Sequence, residues 1–394
     1  VNPGPKDDGR ENRGGTGAKA LDTDALLDDP GTRIIVCCGA GGVGKTTTAA
    51  ALGLRAAERG RHPVVITVDP ARRLAQSMGL EALDNTPRPV PLPEGARGSM
   101  HAMMLDMKRT FDEVVEEHAD PERARQILAN PFYQTLSTSF SGTQEYMAME
   151  KLGQLRQSGD WDLIVVDTPP SRSALDFLDA PERLGRFLDG RLIRFLSAPA
   201  STGAFRLLGA GFNLVTSTIG RIVGKQFLDD LRSFVSAFDT VFGGFQKRAE
   251  RTYRLLRTPG TAFVVVAVPD TDAMREASYF VDRLAGDAMP LAGVVVNRTH
   301  PLPEGAGSSL GAADAESAAA SLEDGGVHPL ASAALRLHAE RVRVRGREVV
   351  LRDALLSSHP DLRVAEVAAL PEDVHDLEGL RRIGGALAAA AGGR

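Results

Sequence analysis

Apolar residues along this chain fall in short unbroken runs, separated by glycines and by longer stretches of helical spacing. Ile34-Ile35-Val36-Cys37-Cys38 is the first such run, and glycines end it. A run of that kind suits a strand buried on both faces of a sheet. Val64-Val65-Ile66-Thr67-Val68 repeats the pattern, and Leu163–Val166, Phe263–Val268, Gly293–Val296 and Leu362–Val367 continue it. Lys45 to Arg59 is rich in small residues and stops at Gly60, which predicts a helix closed by a glycine. Strands alternating with helices predict an α/β fold whose mainly parallel sheet is flanked by helices.

Two regions interrupt the alternation. Residues 107–158 are expected to be helical, with Phe111, Val114 and Val115 as one apolar set. Residues 181–256 read as an inserted helical subdomain carrying Phe187, Phe195, Phe205, Phe212 and Phe227 among other apolar residues. That block suits a client groove, a partner interface or ordinary packing of long helices. Residues 302–325 are rich in Gly, Ala and Ser and read as a flexible insertion. Residues 1–30 read as a disordered tail, leaving 31–385 as the folded unit, with structure expected to begin at Arg33.

The chain has 394 residues, enough for a large core, and its net charge of -5 gives no basic field to recruit nucleic acid. Cys37 and Cys38 are its only cysteines, adjacent and inside an apolar run. They exclude a disulfide framework and a four-thiolate zinc site within one chain, and they fit a reducing compartment. No apolar run approaches the roughly 20 residues needed to span a bilayer, and the N-terminus lacks a secretory apolar core. A soluble cytoplasmic protein is expected, peripheral to a membrane at most through a partner.

The strongest chemical signal is Gly39-Ala40-Gly41-Gly42-Val43-Gly44-Lys45-Thr46, which fits GxxxxGK[ST] between a buried strand and a helix. Glycines let successive backbone N–H groups curl around phosphate oxygens, and the helix N-terminus favours an anion. Gly41, Gly42, Val43, Gly44, Lys45, Thr46 and Thr47 are the expected nucleotide-binding positions, with ATP and Mg²⁺ as cofactors. Lys45 would reach the β- and γ-phosphates, and Thr46 would give its hydroxyl to Mg²⁺. Asp167 closes the run Leu163-Ile164-Val165-Val166 and would complete the Mg²⁺ site at the carboxyl end of its strand. Asp69 follows the second strand, where it either orients the attacking water or caps the helix that Pro70 begins.

The core Gly-Gly-Val-Gly-Lys-Thr-Thr, the segment Val68-Asp69-Pro70-Ala71 and Val166-Asp167-Thr168-Pro169-Pro170 together resemble the arsenical pump-driving ATPases. These form a deviant Walker A family that includes ATPases targeting tail-anchored membrane proteins. Val294-Val295-Val296-Asn297 and Leu370-Pro371-Glu372-Asp373-Val374 match in the expected order. The resemblance implies that Asp69 is the water-orienting, catalytic carboxylate beside Lys45. It makes residues 167–173 a second switch with Asp167, Ser171 and Arg172, and places adenine at Asn297 and Pro371. Asn suits adenine because its amide pairs with N6 and N7. Read without the resemblance, Asn297 is a turn residue at a strand end.

Three positions depart from the family pattern. Ala40 stands where the family usually has a lysine that reaches the partner subunit's phosphates. Ser171-Arg172-Ser173 follows Pro170 in place of Thr-Gly-His, and the paired cysteines that clamp some family dimers through zinc are missing. The leading expectation is an ATPase whose hydrolysis switches a dimeric complex with a membrane-protein or other hydrophobic client. Ala40 points to a heterodimer with a lysine-retaining paralogue. The alternatives are a catalytically weak nucleotide-binding regulatory subunit and a partition-type ATPase.

Overall fold

The structure, a computed structural model, describes residues 19–68, 72–92, 94–131, 133–134, 143–169, 245–302, 310–324 and 328–392. These residues hold one nine-stranded sheet with the order β1-β9-β8-β7-β2-β6-β3-β5-β4. Its strands are β1 (Lys19–Ala20), β2 (Ile34–Cys38), β3 (Pro63–Thr67), β4 (Arg88–Pro89) and β5 (His101–Met104). They continue with β6 (Leu163–Asp167), β7 (Thr261–Ala267), β8 (Leu291–Thr299) and β9 (Arg363–Ala368). All neighbours pair in parallel except β4 with β5.

Alternation along the strands builds two cores. Ile34, Val36, Ile66, Ile164, Val166, Phe263 and Val294 face one side, while Ile35, Val65, Leu163, Val165, Val264 and Val295 face the other. Because both sides are covered, the central strands carry no polar face, which is why they read as unbroken apolar runs. The first side is covered by α4 (Met107–His118), α5 (Pro121–Ala129), α6 (Thr143–Ser158) and α8 (Thr271–Gly286). The second is covered by α2 (Lys45–Glu58), the short α3 (Arg72–Ser77) and α11 (Leu377–Gly392). The alanines of α2 let it lie close to the sheet: Ala49, Ala50, Ala51, Ala56 and Ala57 are all fully buried.

The expected strands and the helix after the glycine loop are present, with ends moved by at most three residues. The tail expectation fails from Lys19 onward. β1 pairs with β9 at the sheet edge, and α1 (Thr23–Asp28) packs beside α2 with Leu21 and Leu27 buried. Arg55 of α2 and Arg59, the residue that caps its C-terminus, bind Asp24 and Asp28, so charge on the segment serves docking rather than solvation. Residues 1–18 lie outside the described residues. The flexible-insertion expectation fails over α9 (Ala312–Asp324), which packs along the 30-residue helix α10 (Pro329–Ser358). Its alanines, read as linker composition, form a helix face, with Ala315 and Ala319 fully buried. The expected helical subdomain falls almost wholly outside the described residues, and its last part is α7 (Phe245–Leu256).

Candidate functional site

β2 lies between β6 and β7, at the point where the chain reverses its direction of progress across the sheet. Open parallel sheets take ligands outside the carboxyl ends of their strands at such a point. Residues 39–44 leave β2 there and enter α2.

Gly39 has φ +145, and a Cβ on it would stand 2.1 Å from the Val266 carbonyl oxygen of β7. Only glycine lets the loop leave the sheet this close to its neighbour. Gly44 has φ +97 and caps α2 without any side-chain bond among the described residues. The first turn of α2 therefore offers its backbone N–H groups, with the positive end of the helix dipole, to an incoming anion. Gly41 and Gly42 are exposed at the loop's mouth, Val43 is buried beneath it, and Thr47 is partly covered. The Lys45 side chain folds back over the loop and its Nζ donates to the Ala40 carbonyl oxygen at 2.8 Å. Ala40 itself presents a methyl group packed on the core, with no charge.

Strand register brings the second part of the site together. Asp167 stands level with Cys37 of β2 and Thr67 of β3. Its Oδ2 accepts from Thr46 Oγ1 at 2.6 Å and from Thr67 Oγ1 at 2.8 Å. The carboxylate is fully buried, where a charge persists only with hydrogen-bonding partners. Thr168 then ties its hydroxyl to the Cys37 carbonyl oxygen at 2.9 Å. Thr46 and Asp167 form a pair of hard oxygen donors beside the phosphate loop, the chemistry that Mg²⁺ prefers. Sequence reasoning missed Thr67, and took in Thr168 only as part of the expected switch at 167–173. The signal for Thr67 was a lone hydroxyl inside an apolar strand, which needs a buried partner.

Asn297 lies in β8, two residues before its end at Thr299, and is nearly buried, and its Nδ2 donates to the Val43 carbonyl oxygen at 2.9 Å. Pro371 is exposed three residues beyond β9, the neighbour of β8, so the two expected adenine positions lie at the carboxyl ends of adjacent parallel strands. Asp69, Ser171 and Arg172 lie outside the described residues.

Both thiols are buried in β2. Burial, with the nearby Asp167 charge, holds the Cys37 thiol well above its ordinary range, and burial pushes Cys38 up to about 12. Neither offers the thiolate that a soft metalloid would need.

The chain matches the anion-transporting ATPase family over residues 32–316, a span that includes the glycine loop, Asp167 and Asn297. The chain belongs to that family. Among curated proteins it is similar to ATPase GET3 of Malassezia globosa, 25% identical over 289 residues, covering 71% of this chain and 76% of that one. ATPase GET3B of Arabidopsis thaliana is 28% identical over 284 residues, covering 67% and 63% respectively. ATPase GET3 of Podospora anserina is 27% identical over 276 residues, covering 70% and 75%. This member of the anion-transporting ATPase family is thus an ATPase, and ATP is the ligand its glycine loop implies. The family match stops before α10, β9 and Pro371. No helix among the described residues is long and apolar enough to cross a membrane.

Proposed function

We propose that this ATPase binds Mg-ATP on residues 41–47 and couples its hydrolysis to a conformational switch in a dimeric complex. The carrying observation is the junction at Asp167, where one carboxylate receives the hydroxyls of Thr46 and Thr67 from two different elements. A change at the phosphates felt by Thr46 passes to β6, and so to the chain that follows Asp167. Thr46 and Asp167 would hold Mg²⁺, which supplies charge neutralisation on the phosphates when bound. Lys45 offsets the β- and γ-phosphate charge. Asp69, two residues beyond Thr67, orients the attacking water. Asn297 and Pro371 take the adenine. The likeness to ATPases that target tail-anchored membrane proteins extends the proposal to a hydrophobic membrane-protein segment as client, with the block at 181–256 as its place of contact.

Lys45→Ala should abolish turnover and severely weaken Mg-ATP binding by calorimetry. Binding as tight as wild type would refute the phosphate-site assignment. Asp69→Asn should keep nucleotide affinity while slowing the chemical step by roughly 10²–10⁴. Near-normal turnover would instead make Asp69 a helix cap, a task asparagine performs equally well.

Ala40 favours a second reading, a heterodimer in which a lysine-retaining paralogue completes this chain's site. In its extreme form this chain is a regulatory subunit with little turnover alone.

A further inference from the structure

The amide of Asn297 is set by two bonds. Its Oδ1 accepts from the Arg298 backbone N–H at 3.0 Å, and its Nδ2 donates to the Val43 carbonyl oxygen at 2.9 Å. An N–H faces the oxygen and a carbonyl faces the nitrogen, so the network allows only one orientation of the amide. The backbone is shaped around it. The pairing of β8 with β9 slips between Asn297 and Thr299, and Arg298 sits at φ +57, a left-handed conformation that costs a non-glycine residue energy. A Cβ on Gly44 would stand 2.3 Å from Asn297 Nδ2, so the loop and the amide are fitted to each other.

We propose that Asn297 is a positioning residue for the phosphate loop, acting through the peptide plane between Val43 and Gly44. This rests on the reading that residues 41–47 receive the triphosphate. A trans peptide points its C=O and N–H in opposite directions. Holding the Val43 carbonyl toward Asn297 therefore turns the Gly44 N–H to the other side of the loop, toward the anion. Glycine's freedom in φ makes this peptide able to flip, and a flip would replace a phosphate donor with a repelling carbonyl oxygen. The pin comes from a strand two places away in the sheet, beyond β7. Adenine contact would be a separate task on the remaining amide valences.

The two tasks separate with a ligand that has phosphates and no base. Calorimetry with magnesium tripolyphosphate and with Mg-ATP should be run on wild type, Asn297→Leu, Asn297→Ala and Lys45→Ala. Leu matches the shape of Asn without its donor, and Ala supplies a second route should Leu disturb folding. Each variant should still unfold in one cooperative transition without ligand, which shows that the affinities are read on folded protein. Loss of the bond to the Val43 carbonyl should weaken tripolyphosphate binding about tenfold, and ATP binding by at least that factor. Unchanged tripolyphosphate affinity with weakened ATP affinity would overturn the proposal and leave Asn297 as a base contact alone. If wild type bound neither ligand, or Lys45→Ala bound both normally, the phosphate-site reading would fall, and this proposal with it.

Discussion

The Thr46 hydroxyl meets the Asp167 carboxylate at 2.6 Å across 121 residues of sequence, joining the first turn of α2 to the end of β6. The bond is charge-assisted, and Thr67 braces the same oxygen from β3. The first turn of α2 and the carboxyl ends of β3 and β6 thus meet at one buried atom.

Thr46→Val should break this junction while keeping the β-branched shape. Turnover should fall about 10–100-fold, the usual range for losing a hydrogen bond to a charged group. Chelating Mg²⁺ should weaken ATP binding to wild type far more than to the variant. An equal loss in both would show that Thr46 does not belong to the metal site.

Ala40 sets a second test. In-trans charge on a transferring phosphoryl group is worth about 10³–10⁵ in rate where an arginine supplies it. A homodimer of this chain would lack the family lysine in both sites. The heterodimer proposal expects slow turnover by the purified chain and a gain from Ala40→Lys. Robust turnover alone, abolished by Arg172→Ala and not raised by Ala40→Lys, would show that Arg172 supplies the charge within the chain.

The N-terminal segment should matter for stability. Leu27 of α1 is fully buried in the core on the α2 side of the sheet, so Leu27→Ala should cost about 2–5 kcal/mol in denaturant unfolding. A change below the error of the measurement would mean that α1 undocks freely. Starting the chain at Arg33 should destabilise it further, by removing Leu21, Leu27 and the Arg55–Asp24 pair together.

The buried thiols predict a pH effect. Both titrate higher in the folded chain than in the unfolded one, with Cys38 raised from 9.0 to about 12. The unfolded chain therefore loses these protons first as pH rises. The Cys38 contribution to stability is complete below about pH 9 and declines toward about pH 12, and that of Cys37 is lost in the same direction. Cys38→Ser should flatten the fall of unfolding free energy between those limits, by at most about 1.4 kcal/mol per pH unit. An unchanged slope would assign the fall to other groups. Thiol reagents at pH 8 should leave both cysteines untouched until the protein unfolds.

The sequence by itself determined the central sheet and the phosphate loop, because both are encoded locally. A strand buried on two faces must be apolar throughout, and a loop that wraps phosphate must have glycines and a lysine at fixed spacing. Asp167 was legible for the same reason, as an acid closing an apolar run. The tertiary structure alone decided what β1, α1 and α9 do. Lys19–Ala20 and the alanines of 312–324 look like linker when read locally, and become structure only because β9 and α10 supply their partners. It alone also decided that Thr67 braces Asp167 and that Asn297 grips Val43 across 254 residues. Those bonds depend on which strands lie side by side and in what register. Local spacing cannot carry that information, because parallel neighbours are brought together only by crossovers through the rest of the fold.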